Sequence, residues 1–238
     1  MLVMDTCIGC GLCVPYCPMN AIEVKDRKAV IDLDECVECG VCLKAKVCPK
    51  DALKNDETYT EARLLRKTFS DPWVTHKSTN VLGRGTEEMK TNDVTNRFGK
   101  GVCGIAVELG RPGTGTRFYD VEKVAKACAA SNVEFEPYNP VTSLMTNVKT
   151  GEMNKEFINE KALSAIVEFI CPNDKVVQVL KDIKKVSAEL DTVFSLDICC
   201  MAEDDGSFPM YAMIKEAGFT SSLNGKTNIG MGRMQLKF

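Results

Sequence analysis

Eight of the thirteen cysteines in this 238-residue chain fall in two short runs near its start. The first run places Cys7, Cys10, Cys13 and Cys17 in the pattern C-x2-C-x2-C-x3-C-P, and the second places Cys36, Cys39, Cys42 and Cys48 in C-x2-C-x2-C-x5-C-P. Thiolates are soft metal ligands, so a tract this dense in cysteine calls for metal chemistry unless disulfides account for it. A disulfide framework expects a secretory leader, yet Met1-Leu2-Val3-Met4 runs straight into Asp5. A structural zinc site closes with four ligands, typically as two C-x2-4-C pairs. Two triplets, each closed by Cys-Pro, do not match that plan. The runs are offset by 29 positions, Cys7 to Cys36, and read as an approximate internal repeat. Gly11 and Gly40 each follow the second cysteine of their run, where a missing Cβ lets backbone N–H groups come close to the metal-bound sulfur.

Residues 1–55 thereby resemble the bacterial two-cluster ferredoxins, which hold two 4Fe–4S cubanes. In that family the fourth cysteine of each run serves the other cluster. The resemblance therefore implies Cys7, Cys10, Cys13 and Cys48 as ligands of one cluster, and Cys36, Cys39, Cys42 and Cys17 as ligands of the other. Crossed ligation implies neighbouring clusters between which an electron hops. Ile8, Leu12, Val37 and Val41 are expected to cover them, and Pro18 and Pro49 to steer the chain away from the last ligand of each run. One departure stands out: five residues, 43–47, precede Cys48 where the commonest pattern has three. The longer loop carries Lys44 and Lys46 and is readily looped out.

Composition bounds the rest. Lys and Arg number 30 against 33 Asp and Glu, a net charge of −3, which calls for neither a nucleic-acid nor a membrane-surface partner. No apolar run reaches the roughly 18 residues that span a bilayer. Thirteen cysteines without a leader pattern predict a reducing cytoplasm, and clusters of this type predict an anaerobic or protected setting.

The elements that position these residues follow from periodicity. Residues 20–33 predict a hairpin joining the two cysteine loops. Residues 59–69 predict a short amphipathic helix, with Ala62, Leu65 and Phe69 on one face, ended by Ser70-Asp71-Pro72. Residues 71–100 carry little periodicity and hold the only Trp (Trp73) and the only His (His76). From 102 the pattern predicts a strand (102–109), a glycine-rich turn (111–117) and a helix (119–131) with Asp120 as N-cap. A second strand region (133–138, extended by 141–148), a third strand (162–171), a long helix (174–190) and a fourth strand (192–200) follow. The order β-α-β-β-α-β is the split βαβ plan. It is similar in layout, with no residue motif, to ACT-type metabolite-sensing domains. The expected fold class is thus α+β: a dicluster ferredoxin domain (1–55), a helix and linker or loop (56–100), an ACT-like βαββαβ sandwich (101–203) and a C-terminal extension (204–238).

Cys103, Cys128, Cys171 and Cys200 are expected near one end of that sheet, which raises a further metal site against the plainer reading of buried, apolar thiols. The turn 110–117, with Arg111 and Arg117, lies where phosphates are often held, but it lacks the P-loop ending and the dinucleotide-binding spacing. The sequence contains no acid–base pair, nucleophile triad or flavin motif that argues for catalysis. The expected function is electron transfer, as the ferredoxin-type subunit or dedicated donor of a cytoplasmic oxidoreductase complex, with a redox enzyme as partner. The alternatives are a redox-linked sensor of a small metabolite bound to the ACT-like part, or an iron–sulfur enzyme acting through residues 82–93 and 224–233. An open four-stranded sheet with an uncovered face also suggests self-association.

Overall fold

The computed structural model describes residues 1–80, 82, 97–111 and 113–221. Of the runs singled out above, 83–93 and 224–233 lie outside the described residues.

The first unit is small and held by short strands. β1 (Leu2–Val3) pairs antiparallel with β4 (Leu53–Lys54), which ties the start of the repeat to its end. Between them, β2 (Ile22–Lys25) and β3 (Lys28–Ile31) form the expected hairpin. Its two turn residues, Asp26 and Arg27, have φ of 48° and 61°, the double left-handed conformation that matches strand twist. α1 (Val41–Lys44) follows Gly40 and carries Cys42.

α2 (Glu61–Ser70) comes next, and the Arg63 backbone N–H donates to the Oγ1 of its N-cap, Thr60. Its far end is anchored in the main core. Phe69 is buried edge-on against Phe118, with ring centroids 5.0 Å apart. His76 is buried against the same phenylalanine.

The larger unit runs through β5 (Val102–Leu109), β6 (Thr116–Arg117), α3 (Phe118–Ala130), β7 (Glu134–Phe135), β8 (Met145–Asn147), β9 (Glu152–Met153), β10 (Lys161–Ala162), β11 (Ala165–Pro172), α4 (Val176–Ser187), β12 (Phe194–Cys200) and α5 (Met210–Glu216). Its four-stranded sheet has the order β12-β5-β11-β7, with every pair antiparallel. That is the strand order expected of a split βαβ plan. Alternation explains it. Cys103, Ile105, Val107 and Leu109 of β5 and Val167, Phe169 and Cys171 of β11 share one core with Val121, Val124 and Cys128 of α3 and Val179, Leu180 and Ile183 of α4.

Four details differ from expectation. The second strand shrinks to β7, because the Glu136 and Asn139 side chains capture the Tyr138 and Val141 N–H groups and turn the chain away. Residues 141–148 do not extend it; β8 pairs with β9 in a hairpin of its own. α3 starts at Phe118, fully buried, so Arg117 takes the N-cap position; Asp120 lies inside the helix, buried and paired with Lys123. The second face of the two central strands is also buried, at Ala106, Glu108, Ile166 and Glu168, while Asp197 on the edge strand β12 is exposed.

Candidate metal centres

The two cysteine runs fold around two cavities, and the runs cross. Cys7, Cys10, Cys13 and Cys48 line the first, which opens to solvent. Cys17, Cys36, Cys39 and Cys42 line the second. Each cavity thus receives three thiols from one run and one from the other.

Local backbone conformation accounts for this placement. Gly9 has φ of 66°, and a Cβ there would lie 2.4 Å from the Arg27 carbonyl, so the first loop closes down directly on the hairpin turn. After each terminal cysteine the chain repeats a second device. Asn20 and Asp51 adopt left-handed φ of 53° and 46°, a conformation these two side chains tolerate. The turn then aims the Ala21 N–H at Cys17 Sγ (3.2 Å) and the Ala52 N–H at Cys48 Sγ (3.3 Å). Ala29, from the hairpin, donates to Cys7 Sγ at 3.3 Å. Such N–H···S bonds stabilise sulfur that carries negative charge and tune a bound cluster.

The thiols suit metal rather than free ionisation. Burial pushes Cys13, Cys36 and Cys39 above the ordinary thiol range. Burial, then the charge of the neighbouring cysteines, pushes Cys42 up to about 12. A metal that takes these sulfurs as thiolates therefore displaces protons. Among the described residues, no three His, Cys, Asp or Glu side chains converge tightly enough to hold a single ion. Eight thiols ringed in fours around open space fit a multi-iron cage better than mononuclear zinc.

Residues 6–52 match the family model for a 4Fe-4S dicluster domain. This segment is a two-cluster ferredoxin domain. Its cofactors are two 4Fe–4S clusters. A ferredoxin of Acetoanaerobium sticklandii is 55% identical to it over 31 residues, which are 13% of this chain and 55% of the relative. The 4Fe-4S ferredoxin FdxA of Gottschalkia acidurici is 51% identical over 33 residues, 14% of this chain and 59% of that protein. A ferredoxin of a Clostridium species is 49% identical over 33 residues, 14% of this chain and 60% of that protein. The chain thus spans between half and three-fifths of the length of the curated relatives it matches. No solved structure matches it.

The two cavities of the ferredoxin domain have different surroundings. The first is near the surface: Cys10 is exposed, and Ile8 and Leu12 on its rim are 52% and 51% exposed. The second is backed by the larger unit. Leu163 packs against Met19, Val37 and Cys39. Gly115 leaves room for Met19, whose Sδ would lie 2.7 Å from a Cβ at that glycine.

α2 braces the same junction. Buried Arg66 pairs with Glu160 and donates from Nη1 to the carbonyls of Leu33 (3.2 Å), Asp34 (2.5 Å) and Cys36 (3.1 Å). Arg63 pairs with Glu38 and donates to the Leu33 carbonyl at 2.5 Å. Glu38 stands at the repeat position that Gly9 holds in the first loop, and its φ of 57° is left-handed too. Its buried carboxylate accepts from the Met1 amine (2.7 Å to each oxygen) and the Tyr59 hydroxyl (3.2 Å) as well as from Arg63. Burial pushes Glu38 up, but the hydrogen bonds and charge of the Met1 amine and Arg63 outweigh it and hold its carboxyl below the usual range. Burial pulls Arg63 down, while Glu38 and then Cys36 raise it and leave it more firmly charged. The sequence reading passed over Glu38, Arg63 and Arg66. The one available signal was the repeat itself, which sets Glu38 against Gly9.

The other candidates resolve differently. Cys171 and Cys200 lie directly opposite Cys103 on the two flanking strands, with Cys103 Sγ 3.7 Å from Cys171 Sγ. Cys103, Cys128 and Cys171 are core residues, and the row belongs to no metal-holding group among the described residues. Arg111 and Arg117 do not form an anion cradle: Arg111 pairs with Glu108, and Arg117 with Asp34 (2.7 Å) and Glu35 (2.8 Å). Among the described residues no helix is long and apolar enough to cross a membrane.

Proposed function

We propose that this chain is an electron-transfer protein, the ferredoxin-type subunit or dedicated donor of an anaerobic, cytoplasmic oxidoreductase. The observation that carries the reading is the crossed pair of cysteine-lined cavities within a two-cluster ferredoxin domain. Cys7, Cys10, Cys13 and Cys48 hold one cluster; Cys17, Cys36, Cys39 and Cys42 hold the other. Each cluster, when bound, accepts and releases one electron. The chain's own side chains supply the rest. Ile8 and Leu12 offer a partner an apolar rim at the outer cavity, and Val37 and Ile22 keep water from the inner one. Residues 1–55 are the carrier, and α2 with residues 101–203 is the body that docks it to its enzyme.

Anoxic capture of the full chain from its native cells tests this. A stoichiometric oxidoreductase that stays bound and is reduced through the chain is the expected result. A chain that purifies alone and reduces no co-purified enzyme overturns it. The strand order β12-β5-β11-β7 favours a second reading, an ACT-like sensor of a small metabolite in residues 101–203. Saturable metabolite binding without an enzyme partner would favour that reading instead.

A further inference from the structure

The two cavities share a ligand plan but not an electrostatic setting. Reduction adds one negative charge to a cluster, and a cation held nearby in a medium of low dielectric favours the reduced form. At the outer cavity the cations are solvated. Lys50 on its wall is exposed, and Lys28, which bears on Cys7, is exposed and paired with Asp5 at 2.9 Å. Water screens such charges strongly.

At the inner cavity the cations are less solvated: the buried Met1 amine on its wall and, from outside the cysteine repeat, the guanidiniums of buried Arg66 and half-buried Arg63. Arg66 is 4% exposed and bonds the carbonyl of the ligand residue Cys36 itself. Arg63, one turn earlier on α2, interacts with Cys36 and pairs with Glu38 on the cavity wall. Neither Arg66 nor its partners Glu160 and Asp34 line that cavity; Arg66 reaches it through the Cys36 carbonyl. Glu38 opposes the effect, but it takes cationic donors from two sides.

We propose that Arg63 and Arg66 are potential-setting residues that hold the inner cluster, at Cys17, Cys36, Cys39 and Cys42, at a higher reduction potential than the outer one. The inference rests on the ligand assignment proposed above. Its consequence is direction: an electron delivered at the exposed Ile8–Leu12 rim settles at the inner site, against the larger unit.

The test is a redox titration of the anoxically purified full chain followed by electron paramagnetic resonance, after each preparation has been assayed for iron and sulfide. Two resolved one-electron waves are expected. Arg63→Gln should lower the upper wave and leave the lower one in place, and Arg63→Lys should restore most of the difference. Glu38→Gln, which removes the opposing charge, should move the same wave upward. The two substitutions therefore act with opposite sign, which general damage would not produce; if Arg63→Gln loses iron, the upward shift in Glu38→Gln carries the test. Coincident waves in the parent chain overturn the proposal. So does a response confined to the lower wave, or none. A parent preparation without eight iron and eight sulfide per chain, the content of two 4Fe–4S clusters, would instead overturn the electron-carrier reading.

Discussion

At the scale of single residues, the proposed crossed ligation makes a sharp demand on the cysteines. Cys17 is contiguous with the first run yet opens into the second cavity. Cys17→Ser and Cys36→Ser should therefore abolish the same redox wave, while Cys48→Ser and Cys7→Ser abolish the other. If Cys17→Ser instead behaves like Cys7→Ser, the crossing is wrong. Gly9 makes a different demand. Gly9→Ala would put a methyl group 2.4 Å from backbone atoms of Arg27 at a φ of 66°. A cost of about 1–3 kcal/mol is expected, read as a lower thermal midpoint. The cysteines were legible in the sequence because ligand spacing is local. Glu38, Arg63 and Arg66 were not, because the contacts of Arg63 with Glu38 and of Arg66 with Cys36 and Glu160 join positions 25 to 94 residues apart and exist only once α2 has docked.

Among the elements, α2 links the two units. Its first turn is fastened by Thr60, its middle grips the second cysteine loop through Arg63 and Arg66, and its last turn enters the main core through Phe69. Thr60→Ala should cost about 1 kcal/mol, as loss of an N-cap does. Phe69→Ala should cost roughly 3–5 kcal/mol, as emptying a buried aromatic site does. Chemical denaturation measures both. If Phe69→Ala costs no more than Thr60→Ala, the helix is not seated in that core. Element by element, β5, β11, β12, α3 and α4 could be read from alternation and helical spacing. Sequence reading failed where side chains compete with the backbone for hydrogen bonds, as Glu136 and Asn139 do beyond β7, and at Asp120, where a buried Phe118 outweighs a good capping residue.

In the whole molecule, the ferredoxin domain is joined to the larger unit by charge as well as by packing. Asp34 and Glu35 meet Arg117 and Lys161 across the junction. Hydrogen bonding to Arg117 holds the Asp34 carboxyl below the usual carboxylate range, so the unfolded chain takes up that proton more readily than the folded one. The contribution is fully present above about pH 4 and is lost as pH falls below it. Arg117→Gln should remove it. The difference in thermal midpoint between parent and variant should be clear at pH 6, weaken in salt and narrow towards pH 3. A difference that does not change with pH would mean that the pairing adds nothing beyond packing.

The crossed cavities also impose an order on biosynthesis. Three thiols of the first set leave the ribosome early, but the fourth, Cys48, arrives only after almost the whole of the second run. The second set has the reverse history, with Cys17 waiting for its three companions. The second cage has all four thiols once position 42 has emerged and the first only at position 48, so iron delivered before position 42 meets only incomplete coordination shells. Both cages therefore complete late and in the order inner, then outer: a chain truncated before position 42 completes neither, and one truncated between 42 and 48 completes only the inner.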